Sequence, residues 1–249
     1  VTTEADAFSN RRALAWNRYD HAAHEPTRRV LRWLITHIGW RFLARVDRAH
    51  IAGLEHLPAS GPGILMINHI AFIDPVLVLG NLPRNLTPLA KAEVYNYPVW
   101  GIFARLWGVI PVRRAELDRR AVERALAVLA AGELLLIAPE AHRQPSLGRG
   151  KEGVAYIGHK SGAPIFPVAV ADTPGYPTLL GPWNAHRPGA WFRIGRPFRY
   201  KPVTGRLPRE RLRLMTDEAM YVLAAMLPEH RRGYYADLSR ATTETIEFI

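Results

Sequence analysis

The chain of 249 residues contains no cysteine. That excludes disulfides, cysteine-ligated zinc and thiolate nucleophiles, and it is compatible with a reducing compartment. Acidic residues are also scarce, 22 against 33 lysines and arginines, which leaves a net charge of +11. No window of about 20 residues stays predominantly apolar, so no segment reads as membrane-spanning. The opening stretch "VTTEADAFSNRRALAWNRYD" lacks the basic-then-apolar order of a signal peptide. There is no internal repeat, no low-complexity tract and no G-x-S-x-G nucleophile elbow.

Apolar residues make up 48% of the chain, enough for one large core. The basic excess is clustered. Residues 11–48 hold nine arginines against Asp20, Glu25 and Asp47, and residues 187–213 hold nine cations against Glu210 alone. Blocks of this kind suit phosphate-bearing partners such as an anionic lipid surface, nucleic acid or an acidic cofactor; the alternative is a solvated basic face.

Residues 1–26 are polar and weakly patterned. "PTRRVLRWLITHIGWRFLARV" (26–46) reads as helix starting near Pro26 or Thr27. Arg28, Arg32 and Thr36 share one side, whereas His37, Arg41 and Arg45 lie nearly opposite, so two amphipathic pieces broken near Gly39 fit better than one stripe. Trp33, Trp40 and Phe42 among arginines suit an interfacial helix, with packing against the main domain as the alternative. From about residue 48 the short apolar runs "GILMIN", "LTPLAK", "GVIPV", "ELLLIAP" and "APIFPVAV" alternate with helical stretches. The clearest helix is "ELDRRAVERALAVLAAG" (116–132), with Leu117, Val122, Leu126 and Leu129 on one side. This alternation predicts an α/β fold with a central, largely parallel or mixed sheet flanked by helices. "DTPGYPTLLGPWNAHRPG" (172–189) reads as a loop and "AWFRIGRPF" (190–198) as a late edge strand. Residues 207–227 form a final amphipathic helix ahead of a polar tail. The domain division is a helical membrane-association segment over 1–46, an α/β domain over 47–228 and a tail over 229–249.

Polar residues directly follow the apolar runs: Asn68 and His69, Lys91, Arg113 and Arg114, and Glu140. In a parallel sheet the carboxyl ends share one edge, where open α/β folds bind ligands. In "INHIAFIDP" (67–75), His69 and Asp74 are five apart. They meet neither along a straight strand nor on one helix face, only if the chain turns between them. Asp-Pro is also a good helix start, with Asp as N-cap and Pro at N1. As a dyad, Asp74 would fix the tautomer of His69, whose other nitrogen could take a proton from a substrate hydroxyl. No protein nucleophile accompanies this base, which points to direct attack by that hydroxyl.

The stretch "NHIAFID" resembles the N-H-x4-D signature of the PlsC-like glycerolipid acyltransferases. "GVIPVRR" (108–114), "APEAHR" (138–143) and "GAPIFPVAV" (162–170) resemble that family's second, third and fourth blocks, in the family's order, over roughly residues 48–200. The resemblance implies transfer of a fatty acyl group from a thioester of CoA or acyl carrier protein to a glycerolipid hydroxyl, with no cofactor and no metal. It maps His69 onto the catalytic base and Asp74 onto its orienting acid. Arg114, Glu140 and Arg143 fall where the acceptor is held, with Arg113, Asn68, His142 and, more loosely, Lys151 counted as substrate-binding neighbours. The third block departs from the usual Glu-Gly-Thr-Arg: Ala141 stands at a glycine position, where a positive φ would be disfavoured, and His142 adds bulk. The expected acceptor is 1-acylglycerol-3-phosphate, with glycerol 3-phosphate, another lysolipid or a glycolipid as alternatives. The expected location is peripheral, on an anionic membrane at the cytoplasmic face, without a nucleic-acid partner. The alternative from another class is a metal-dependent lipid or phosphate hydrolase using His69 and His142.

Overall fold

The computed structural model describes residues 21–34, 50–71, 74–113, 118–171, 173 and 190–249. Their strands are β1 (His50–Ala52), β2 (Gly63–Ile67), β3 (Leu86–Lys91), β4 (Ile110–Val112), β5 (Leu134–Ile137), β6 (Ile165–Ala171), β7 (Trp191–Ile194), β8 (Phe198–Tyr200) and β9 (Ile246–Phe248). The helices are α1 (His21–Leu34), α2 (Asp74–Asn81), α3 (Pro98–Trp107), α4 (Arg119–Ala130), α5 (Gly153–Ser161) and α6 (Arg209–Ala225).

One sheet runs in the order β1-β7-β6-β2-β5-β3-β4, with β8 on β6 and β9 on β8. The strands β6, β2, β5, β3 and β4 are mutually parallel, while β7 is antiparallel to β6. The expected α/β architecture with a mixed sheet is therefore the one observed. Every residue of β2 is buried, as expected for a central strand covered on both faces. Alternation then sorts its side chains. Ile64 and Met66 join Leu135 and Ile137 in a core closed by α4, α5 and α6, whereas Leu65 and Ile67 join Leu134 and Leu136 in a core closed by α2 and α3. Asp118 starts α4 by accepting the Ala121 N–H at 3.1 Å, two residues later than the helix reads in the sequence.

Three expectations change. The stretch read as an edge strand, β7, lies inside the sheet, because β1 pairs with it in parallel and takes the edge. Gly53, at φ 82, permits this: a Cβ there would collide with the Ile194 carbonyl oxygen. Residues 229–249, read as a polar tail, contain three short 3-10 turns and β9, with Tyr235 and Ile246 buried. A stretch with few apolar residues still packs, through Tyr235 and Ile246, which both join the core.

The third change concerns α1, which begins at His21 rather than near Pro26. Its basic side faces inward. Arg32 is 1% exposed and donates to the Trp107 carbonyl at 2.7 Å and to Thr87 Oγ1 at 3.0 Å, with Glu133 at 3.4 Å. Arg28 is buried too and packs on Gly108, just past the end of α3, where a helix carries partial negative charge. Val30, Trp33 and Leu34 are left on the outside. The second amphipathic piece, with Gly39, Trp40 and Phe42, lies outside the described residues, as does most of the loop over 172–189.

Candidate active site

Five parallel strands end on one edge of the sheet, and the order β2-β5-β3-β4 there brings His69, Glu140, Lys91 and Arg113 onto it in that sequence. With about 4.8 Å between neighbouring strands, His69 and Glu140 are adjacent. Arg113 emerges three strands away from His69.

The chain leaves β2 at Asn68, turns through residues 69–71 and enters α2 at Asp74. That turn closes the five-residue gap. His69 Nδ1 lies 3.1 Å from Asp74 Oδ2, and the same oxygen accepts the Ile70 and Ala71 N–H groups, each at 2.7 Å. An ionised carboxylate only accepts, so Nδ1 carries the proton and Nε2 keeps its lone pair for a substrate. The Asp74 side chain thus reaches back to the turn and does not cap α2 as the Asp-Pro pair alone implies. Asp74 is fully buried, whereas the His69 side chain retains 16% exposure.

Glu140, expected beside the acceptor, is buried and faces the histidine loop. Its Oε1 accepts the His69 N–H at 3.1 Å and its Oε2 the Gly148 N–H at 2.9 Å. Burial is the main cause that raises its pKa to about 7, opposed by those two N–H bonds and aided by the nearby Asp74 charge. The Gln144 N–H donates to the His69 carbonyl at 2.9 Å, so both backbone groups of His69 are held by the chain after β5. Ala141 adopts φ 59, the only positive φ of a non-glycine residue among the described ones. The left-handed turn persists despite the side chain, at a strain of roughly 1–2 kcal/mol.

Asn68, expected at the substrate, is committed to the sheet. Its Nδ2 donates to the Val170 carbonyl at 2.8 Å and its Oδ1 accepts the Val170 N–H at 2.7 Å, so the amide extends the β2–β6 pairing by one step. His142, Arg143 and Lys151 are exposed on the loop after β5, and the Lys151 N–H donates to the Pro139 carbonyl at 2.8 Å. Arg113 is half-buried, its own N–H held by Asp118 Oδ2 at 3.0 Å. Arg114 lies outside the described residues. Among the described residues no three histidine, aspartate or glutamate side chains form a group able to hold a metal. Gln144 and Gly148 escaped the sequence reading; the glycine-dense "SLGRGKEG" is the signal that a tightly wound loop follows Glu140.

A family model described as Acyltransferase matches residues 48–171. The chloroplastic 1-acyl-sn-glycerol-3-phosphate acyltransferase BAT2 of Brassica napus is 29% identical over 133 residues, covering 51% of this chain and 38% of that protein. A 1-acyl-sn-glycerol-3-phosphate acyltransferase of Borreliella burgdorferi is 30% identical over 131 residues, 49% of this chain and 51% of that protein. The matched stretch thus spans about half or less of the length of these relatives. The crystal structure of the 1-acyl-sn-glycerophosphate acyltransferase PlsC from Thermotoga maritima superposes with a TM-score of 0.53 at 22% identity, covering 85% of each chain. At that identity the likeness speaks for the fold.

Proposed function

Through residues 48–171 the chain belongs to the PlsC-like acyltransferase family, and on that premise we propose that it moves a fatty acyl group from a thioester of CoA or acyl carrier protein to the hydroxyl of a lysophospholipid, 1-acylglycerol-3-phosphate foremost. The observation that carries this reading is the His69–Asp74 contact at 3.1 Å beside a loop rich in exposed cations. His69 Nε2 takes the hydroxyl proton as the oxygen attacks the thioester carbonyl. The tetrahedral intermediate then expels the thiolate, which recovers that proton from the imidazolium. Asp74 stabilises the imidazolium between the two steps. Arg143 and Lys151, with Arg113 further along the edge, supply guanidinium and ammonium groups for the acceptor phosphate; Arg114 is given the same role from its place in the second sequence block.

A thiol-release assay tests it, with CoA and carrier-protein donors against 1-acylglycerol-3-phosphate, glycerol 3-phosphate and lysophosphatidylcholine. The chain adds no thiol of its own. Release that needs a phosphate-terminated acceptor is expected, and Arg143→Ala raises the acceptor KM about tenfold, the scale of one charge-assisted contact, while leaving the thioester KM unchanged. Release without any acceptor would favour a hydrolase.

The reading extends to location. Among the described residues no helix is long and apolar enough to cross a membrane. Val30, Trp33 and Leu34 of α1 and Val99, Ile102 and Leu106 of α3 are 40–72% exposed. We place this face on the bilayer, at the cytoplasmic side where acyl thioesters are found. With Arg28 and Arg32 turned inward, the contact draws on apolar insertion at least as much as on anionic charge. Val30→Glu combined with Ile102→Glu is expected to lower co-sedimentation with vesicles about tenfold or more. Unchanged binding would move the contact elsewhere.

A further inference from the structure

The loop after β5 holds His69, and something must hold the loop. Between residues 140 and 151 it forms no helix or strand, so its shape depends on outside partners. They come from α6 and the C-terminal turns, far away in sequence.

Leu147 is tied by both backbone groups: its N–H donates to the Arg231 carbonyl at 2.9 Å, and its carbonyl accepts the Tyr234 N–H at 2.8 Å. Gly233, at φ 52, lets the two segments touch; a Cβ there would strike the Leu147 carbonyl. Gly150 is tied in the same way, but by side chains. Its N–H donates to Tyr235 Oη at 3.2 Å, and its carbonyl accepts from Arg213 Nη1 at 2.7 Å. Tyr235 is fully buried and donates its own proton to Asp217 Oδ1 at 2.7 Å. Burial pushes its phenol up, so the hydroxyl keeps that proton. Arg213 grips the same aspartate through both oxygens, at 2.6 and 3.0 Å.

A continuous set of bonds therefore runs from Asp217 through Tyr235 and Gly150 into the loop. It continues through Gly148 to Glu140, and from Glu140 to the His69 N–H. Asp217, Tyr235 and Arg213 all lie beyond residue 171, outside the stretch that matches the family. Nor is it a generic surface contact, since the side chains that bond Gly150, Tyr235 and Arg213, both rest on the half-buried Asp217, with Glu152 as a second partner of Arg213.

We propose that Tyr235, seated on Asp217 and Arg213, is a positioning residue for the reaction at His69, acting through the loop it holds. The inference rests on the acyltransferase reading for its kinetic consequence, but not for its structural one.

Tyr235→Phe keeps the ring packed edge-to-face on Tyr221, 5.0 Å between centroids, and removes only the hydroxyl. Two measurements follow on the full chain. Hydrogen exchange by mass spectrometry is expected to accelerate several-fold in peptides covering residues 68–71 as well as 144–151. Thiol release is expected to fall about tenfold in kcat with the thioester KM unchanged, the scale of a small displacement of a catalytic group. Unaltered exchange at residues 68–71 would overturn the proposal, as would faster exchange there with wild-type kcat. If the unmodified chain releases thiol with no acceptor, the function reading fails and exchange alone decides: acceleration at 68–71 supports the positioning role, its absence ends it. Asp217→Asn, which can still accept from Tyr235 but carries no charge for Arg213, is expected to give a smaller change in the same direction. A larger change than Tyr235→Phe would shift the role to Arg213 and overturn the assignment.

Discussion

Replacing His69 by alanine is expected to lower acyl transfer by about 10²–10⁴-fold, the usual contribution of a placed general base. The fold should survive. Asp74 Oδ2 would still accept the Ile70 and Ala71 N–H groups at 2.7 Å, and the His69 backbone bonds to Glu140 and Gln144 do not need the imidazole. The check is turnover measured beside a thermal melt on the same preparation. Turnover within a few-fold of wild type, with a normal melt, removes the base assignment. Collapse of the melt would instead show that the ring itself supports the turn.

Glu140→Gln should act on both stability and rate. The carboxylate presents an acceptor to each of two half-buried N–H groups, those of His69 and Gly148. An amide can satisfy one and points a donor at the other, a loss of about 1–3 kcal/mol. Freed on one side, His69 moves relative to the acceptor, and a displacement near 1 Å is worth about 10²-fold in rate. The pH dependence separates this from an ordinary core defect. Burial pushes the Glu140 carboxyl in the folded chain up to about 7 from the usual 4.5. A carboxyl raised in this way favours the folded state fully below its unfolded pKa, and the advantage disappears as pH climbs through the folded value. Between about pH 4.5 and 7 the wild-type chain should lose on the order of 3 kcal/mol from this group, whereas the Gln variant loses none from that position. The melting temperatures of the two proteins should therefore converge as pH rises from about 5 to 7.5. A constant difference across that range would place the titration elsewhere.

The sheet was legible because buried strands announce themselves locally. "GILMI" and "LLLI" are apolar throughout and bounded by turn residues, so their strand character depends on a handful of neighbours. The dyad was legible for a related reason: His69 and Asp74 are five residues apart, and one turn brings them together. Glu140 was found as a strand-end residue, but its bonds to the His69 and Gly148 N–H groups were not. Nothing in "APEAHR" tells whether a carboxylate faces solvent, substrate or a neighbouring amide. The pairing of Asn68 with Val170 was hidden for the same reason, since Val170 is 102 positions away.

Sequence alone determined the kind of chain this is: a cysteine-free, basic α/β domain with a histidine, a glutamate and cationic side chains directly after its strands. These properties follow from residue types and short spacings, which survive any packing of the elements. Tertiary structure alone decided which way the elements face. It turned Arg28 and Arg32 of α1 inward and its tryptophan outward, pressed a seemingly idle C-terminus against the loop that grips His69, and gave β7 a neighbour on each side. The physical reason is that a charge or an amide is neither buried nor exposed by its own nature. Its position depends on a partner that can replace water, and here that partner lies scores of residues away.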